Sequence, residues 1–209
     1  MKRAYLIILT LNFIAFCSCC PLNSVNPLSD PKDAIQENRL AGTWHGNSKE
    51  NTDVYLHVGQ IAGDNHTQAI LIEHKKNGDL DFVNLELIIF PTTIKDESYL
   101  NIKVSKLFEN SLSGDLGYIF VKYTFSSKDT LTFSFIDPEI VENAFQTGAL
   151  KGTISKEKAF VDRMRNTSKL TTLSGCTKIT DTTQNIVKFI SSTDTEKLFS
   201  KSMRFKKIE

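Results

Sequence analysis

The chain has 209 residues, with 25 basic and 24 acidic side chains and a formal net charge of +1. This balance excludes the strongly basic surface that broad capture of nucleic acid requires. Hydrophobic residues make up 40% and charged residues 23%, so the chain has enough apolar material for a core and is not disordered by composition. Its length predicts one domain, or one domain and a tether.

The first segment has the order of a secretory signal peptide. Lys2 and Arg3 give it a positive start, and residues 4–16 are apolar but too few to span ~30 Å of hydrocarbon. Three of the four cysteines follow at once, and Cys19 comes directly after the small Ser18. This junction resembles the bacterial lipobox, in which a cysteine after a small residue is acylated before the signal is cleaved.

The lipobox resemblance implies that residues 1–18 are a signal peptide and that the protein is held to the membrane of a bacterial cell envelope through a lipid on Cys19. Phe16 stands where the lipobox has Leu, so Cys20 is a second candidate, and a plain secretory signal with incidental cysteines remains open. If the envelope is Gram-negative, the lack of Asp after Cys19 implies the outer membrane.

The next stretch has the composition of a linker. Residues 21–39 contain three prolines, two serines and three asparagines without sustained periodicity. We therefore divide the chain into a signal peptide over 1–18, a lipidated cysteine with a flexible tether over 19–39, and one globular domain over 40–209.

From residue 40 onward, apolar and polar side chains alternate with the period of a half-buried strand. Seven short segments show this pattern and are separated by close turns: 40–47, 54–59, 68–79 with a turn at Asn77–Gly78, 80–90, 98–104, 118–125 and 129–136. The pattern predicts an antiparallel barrel or sandwich.

After these segments the period changes to that of helices. Asp137 as N-cap, Pro138 at the first helical position and Gly148 just past the end predict a helix. A second start signal, with Thr180 or Asp181 as the cap, precedes residues 182–191, and Asp194 can cap a third, shorter turn. The last segment, SMRFKKI, alternates again and predicts a closing strand.

The sequence Gly42–Thr43–Trp44 opens the first strand and resembles the Gly-x-Trp motif of the lipocalins. In that family the Trp closes the barrel floor and an Arg near the chain end lies across its ring. The resemblance implies a mainly β, antiparallel up-and-down barrel with two or three short helices late in the chain, and a floor of Gly42, Trp44 and Arg204. However, if Met203 faces inward, the alternation turns Arg204 outward.

A second resemblance spans most of residues 118–209 and rests on spacing: YIFVKYTFSSKDTLTFSFIDPEIVENAF, then GALKG, ITDTTQNIVKFI and LFSKSMRFKK. These segments are similar to a family of small bacterial envelope proteins without assigned biochemistry. The resemblance implies a shared fold and an envelope location, and it carries over no catalytic residue.

The sequence predicts no enzyme, cofactor or metal site, because it contains no motif for nucleophilic catalysis, zinc hydrolysis or phosphate binding. His45 and His57 are expected on the outer face, where two imidazoles are too few for a zinc site. His74 is expected to enter the interior as a hydrogen-bonded residue.

Two functions remain. In the first, the barrel is a binding module for an apolar or amphipathic small ligand such as a lipid; in the second, it is a fully packed, non-catalytic scaffold that acts through its surface in the envelope. A protein partner is not predicted by any motif. The possible ligand-lining residues share the inward side of two strands: Leu100, Ile102, Leu131, Phe133 and Phe135.

Overall fold

The computed structural model describes residues 22–47, 52–60, 67–75, 83–106, 117–155 and 176–208. Their strands are β1 Asn23–Ser24, β2 Gly42–Asn47, β3 Thr52–Gln60, β4 Thr67–Lys75, β5 Val83–Ile94, β6 Glu97–Lys106, β7 Tyr118–Ser127, β8 Thr130–Phe135, β9 Gly152–Ser155, β10 Cys176–Ile179 and β11 Lys201–Lys207. The helices are α1 Pro138–Thr147, α2 Thr183–Ser192 and α3 Thr195–Leu198, with short 3-10 helices at Pro31–Asp33 and Asn38–Leu40.

Eight strands close into an antiparallel barrel. Strands β2 to β8 follow one another as a meander, β6 pairs with β7, and β11 returns to lie between β8 and β2. The prediction of a mainly β, up-and-down barrel with helices late in the chain is therefore confirmed. We call the end at which β2 begins the lower end; the β5–β6 turn at Lys95–Asp96 lies there too, and the opposite end is the upper end.

The register shifts along the barrel axis as the sheet closes. One row of paired residues starts at the upper end of β5 and reaches the lower part of β7: Val83, Glu73, Val54, Gly46, Phe205, Leu131 and Phe125. Such a stagger tilts the strands and sets the interior width, and eight strands leave room either for side chains or for one small ligand.

The helices begin and end where the cap residues place them. The Asp137 carboxylate accepts the Glu139 backbone N–H at 3.0 Å, and Gly148 ends α1 with φ 73°. For α2 the N-cap is Thr182, one or two residues later than predicted, because its hydroxyl accepts the Asn185 N–H. Short α3 begins at the predicted cap.

Asp181 is buried and joins the start of α2 to the segment before β9. Its carboxylate accepts hydrogen bonds from the Lys151 and Thr182 backbone N–H groups, both at 2.9 Å, and from the Asn185 amide at 2.7 Å. Burial raises the pKa of Asp181, but these hydrogen bonds outweigh that effect and hold the pKa below its ordinary value. The carboxylate is therefore a structural joint.

The helices cover the outer face of β5, β6 and β7, as expected of elements that cannot enter a barrel of this size. Ile94, Tyr99 and Phe120 point outward from these strands into a second apolar core. The other buried members of this core come from the helices, the adjoining segments and the N-terminal segment: Leu22, Leu28, Ile136, Val141, Ala144, Leu150, Ile179, Ile186, Ile190, Leu198 and Phe199. The domain thus has one core inside the barrel and one outside it.

The segment before the barrel is packed, whereas its composition predicts a flexible tether over 19–39. Ser24 of β1 pairs with Tyr118 of β7, and Leu28 is only 2% exposed. The buried Asn101 amide oxygen accepts the Leu28 N–H at 2.6 Å, which holds the segment to β6. Residues 22–39 therefore belong to the globular domain, because burial of a few apolar side chains outweighs the entropy of a polar linker.

The sequence-based boundaries at residues 18 and 19, with Cys19 and Cys20, lie outside the described residues. Among the residues that are described, no helix is long and apolar enough to cross a membrane.

Candidate functional site

The lower end of the barrel is closed around Trp44. Its side chain is fully buried, and its indole Nε1 donates to the Leu40 carbonyl at 2.8 Å. Leu40, in the 3-10 helix Asn38–Leu40, is 1% exposed and packs in the same cluster. Gly42 has φ 124°, which residues with a side chain rarely adopt, and this explains why the Gly-x-Trp motif begins with glycine.

A cation lies over the Trp44 ring, but it is not the predicted one. The Lys207 Nζ lies 5.3 Å from the ring centroid, whereas Arg204 is exposed on the outer face of β11. The placement of Arg204 in the barrel floor is therefore wrong. Alternation is the reason: Phe205 points inward, so Lys207 shares its side and Arg204 does not.

A second cation covers the lower end from the 3-10 helix. The Arg39 guanidinium lies 4.5 Å from the centroid of the Phe125 ring and hydrogen-bonds to Glu37. The hydrogen bond with Arg39 lowers the pKa of Glu37, so this carboxylate stays ionised. Burial raises the pKa of the neighbouring Tyr123, which keeps its phenol neutral. The lower end is therefore sealed by aromatic, aliphatic and paired charged groups.

The lower half of the interior is filled by side chains. Trp44, Leu131 and Val121 are fully buried, Leu100 is 1% exposed and Phe205 is 2% exposed. Gly46 has no room for a larger residue, because a Cβ there would lie 2.9 Å from the Phe205 Cδ1. These buried side chains therefore occupy the lower half of the interior around Trp44.

Apolar side chains of the same core become partly exposed toward the upper end. Of the five partly buried side chains packed against the interior cluster, Phe125 lies at the lower end, whereas the others lie in the middle or upper part of their strands: Leu71, Ile102, Ile119 and Met203. Phe135 ends β8 on the same side as Phe133 and is 38% exposed. Among the described residues, a group of partly exposed apolar side chains therefore lies in the middle and upper part of the barrel; we call it the apolar mouth and define it as Leu71, Ile102, Ile119, Met203 and Phe135.

The five residues predicted to line a ligand divide between these two halves. Leu100 and Leu131 lie in the filled lower half near Trp44. Phe133 is 7% exposed and packs on Phe205 at 5.4 Å between ring centroids. Ile102 and Phe135 belong to the apolar mouth. Alternation in β6 and β8 indicated the inward side but not the depth, since depth depends on the stagger of the closed barrel.

Three histidines lie on the outer face. His45 Nε2 lies 3.0 Å from an Asp53 carboxylate oxygen, and His57 Nδ1 lies 3.1 Å from the Thr43 hydroxyl. The expectation that His74 enters the interior is wrong. Ala69 points inward, so the even-numbered residues of β4, such as His74 and the exposed Ile70, lie on the outer face. Within the described ranges, no group of three or more His, Cys, Asp or Glu side chains is arranged to hold a metal ion.

These features define a class: a closed, eight-stranded antiparallel β-barrel with a Trp-sealed lower end, consistent with a lipocalin-like barrel. No known protein family, curated protein or solved structure matches this chain. The site has therefore to be interpreted from its own geometry.

Proposed function

We propose that this protein is a lipid-anchored binding module of the bacterial cell envelope, and that its barrel accepts an apolar or amphipathic small ligand through the upper end. The observation that carries this proposal is the change in exposure along the interior. Side chains around Trp44 are buried, whereas the apolar mouth leaves Phe135 38% exposed. Apolar surface of this kind at the end of a small barrel favours contact with another apolar group.

The depth of the filled region limits what can bind. Trp44, Phe205 and Leu131 occupy the interior from the lower end upward. A ligand would therefore insert an acyl chain or ring only into the upper half and keep its polar part outside. This favours an amphipathic ligand over one that is enclosed completely.

The alternative function is a packed scaffold without a ligand. The tight contact of Phe205 with Gly46 favours it, because the lower half is occupied by buried side chains. The two proposals differ in the upper half alone, so the decisive variants lie there.

We expect Ile119→Trp to weaken binding of an apolar dye, since the larger side chain fills space in the apolar mouth. Titration of a polarity-sensitive naphthalenesulfonate dye, followed by its fluorescence, measures the dissociation constant. Ile70→Trp is the matched control, because Ile70 is 37% exposed and lies on the outer face of β4. We expect the control to bind the dye as the unmodified protein does.

Two results would support the scaffold instead. One is an absence of dye binding by the folded protein. The other is a loss of about 1–3 kcal/mol of stability in Ile119→Trp without any change in dye binding, which is the signature of overpacking.

Membrane anchoring has its own test. We expect the native protein to incorporate labelled palmitate and to sediment with membranes, and Cys19→Ala to abolish both, because the thiol is the acylation site. Cys20→Ala is the control that distinguishes the two candidate cysteines. A soluble protein with an unmodified N-terminus after cleavage would contradict the anchor and the envelope location together.

A further inference from the structure

Arg204 and Lys206 are two cations on the outer face of β11 that have no counterion in the described part of the chain. They lie on either side of the buried Phe205, so both side chains point outward, and both are exposed. No hydrogen bond or ion pair to another described residue engages either of them. Arg39, in contrast, is paired with Glu37. The charge on the outer face of β11 is therefore available to an anion from solution.

Two hydroxyl groups lie directly opposite these cations on β8. Thr132 pairs with Arg204, and Thr130 pairs with Lys206. Opposite Cβ atoms of an antiparallel pair are about 5 Å apart, and alternate residues of one strand are about 6.6 Å apart. The four side chains therefore project from the corners of a small rectangle on the outer face, which we call the polar rectangle: Thr130, Thr132, Arg204 and Lys206.

Among the residues described for β8 and β11, none on the outer face is acidic. All of them carry a hydroxyl group or a positive charge: Thr130, Thr132, Ser134, Ser202, Arg204 and Lys206. Carboxylates on adjoining elements have cationic or imidazole partners of their own. Asp129, in the turn between β7 and β8, lies 4.0 Å from Lys128, and Asp53 of β3 lies 3.0 Å from His45. Two cations about 6.6 Å apart repel each other, and an anion between them replaces this repulsion with attraction.

We propose that the polar rectangle binds a phosphate group, with Arg204 and Lys206 as charged contacts and the hydroxyls of Thr130 and Thr132 as further hydrogen-bond donors. All four side chains can donate, and guanidinium groups bind phosphate through two parallel hydrogen bonds. A tetrahedral phosphate presents acceptor oxygens in several directions and can meet donors at several corners, whereas a carboxylate has only two oxygens in one plane. The site lies outside the barrel, so it is independent of an interior ligand and of the lipid anchor.

Isothermal titration calorimetry of the purified protein at low ionic strength tests the site, with inorganic phosphate as the probe and acetate as the comparison anion. We expect saturable phosphate binding that is at least about tenfold tighter than acetate binding. Arg204→Gln and Lys206→Gln should each weaken it by about tenfold, because each removes a charge-assisted contact. Lys188→Gln is the matched control, since Lys188 is exposed on α2, and we expect it to bind phosphate unchanged.

Thr132→Val distinguishes a phosphate site from general attraction between opposite charges. It removes a hydroxyl at nearly constant shape, and we expect weaker phosphate binding with acetate binding unaffected. Absence of saturable phosphate binding, acetate binding of equal strength, or an equal loss in Lys188→Gln would overturn the site.

A second probe identifies the source of the phosphate group. Dihexanoyl phosphatidylglycerol, used below its micelle concentration, carries the same group on a lipid headgroup. Tighter binding of this probe than of inorganic phosphate, with the same dependence on Arg204, would support the site and assign it to a headgroup. The reverse order would support the site and assign it to a free phosphate group.

Discussion

Replacing Trp44 with alanine is expected to lower the free energy of unfolding by about 3–5 kcal/mol. Trp44 is fully buried, donates a hydrogen bond to Leu40 at 2.8 Å and packs on Phe125 with 6.0 Å between ring centroids. Alanine removes these contacts, leaves a cavity in the filled lower half and leaves the Leu40 carbonyl without its donor. Since a domain is typically stable by roughly 5–15 kcal/mol, this loss threatens folding.

Denaturant unfolding followed by circular dichroism measures the effect, because the variant lacks tryptophan fluorescence. Ile70→Ala is the control, since Ile70 is exposed on the outer face of β4, and we expect it to lie within about 0.5 kcal/mol of the unmodified protein. The unmodified protein should also emit with a blue-shifted maximum, as a buried indole does. A loss below about 1 kcal/mol, or emission like that of free indole, would contradict the sealed lower end.

Replacing Asn101 with leucine is expected to release the N-terminal segment from the barrel. Asn101 is fully buried; its oxygen accepts the Leu28 N–H, and its amide group donates to the Phe90 carbonyl and to the Thr92 hydroxyl. Leucine matches its size but leaves these groups without partners, at about 1–3 kcal/mol for each buried group left unpaired. The Leu28 N–H then has no acceptor in the protein, and it can donate a hydrogen bond to water only when the segment leaves the barrel.

Two measurements separate release of the segment from general unfolding. Trypsin should cut faster after Lys32, which lies in the segment, while denaturant unfolding of the barrel remains cooperative. Asn143→Leu is the matched control, because Asn143 is exposed on α1 and the same change there leaves the segment docked. Unchanged cleavage in Asn101→Leu would show that the segment does not depend on this hydrogen-bonded group.

The alternation of apolar and polar side chains is enough by itself to determine the eight barrel strands. A strand with one face in a core has a period of two, and this period is visible in alternate residues such as Leu131 and Phe133. The helix caps are equally local, so Asp137 and Gly148 mark the two ends of α1. The Gly-x-Trp motif also predicted Trp44 in the barrel floor. Its glycine is local information too, because Gly42 has a positive φ of 124°.

Only the tertiary structure decided the features that depend on distant partners. β1 has two residues and β9 and β10 have four each, so no period is visible in them. Their existence depends on pairing with each other or with β7. The N-terminal segment was missed for the same reason: its polar composition is that of a linker, and its docking depends on the buried Asn101, which lies 73 residues further along the chain from Leu28.

Depth inside the barrel is likewise set by closure. Leu100 and Ile102 share one side of β6, and sequence alone cannot distinguish the buried residue from the one in the apolar mouth. The cation over Trp44 is Lys207 and not Arg204, because the inward side of β11 is fixed by its pairing with β2 and β8. Local periodicity thus gives each strand its two faces, whereas the stagger of the closed sheet decides which inward residues meet and which lie toward the upper end.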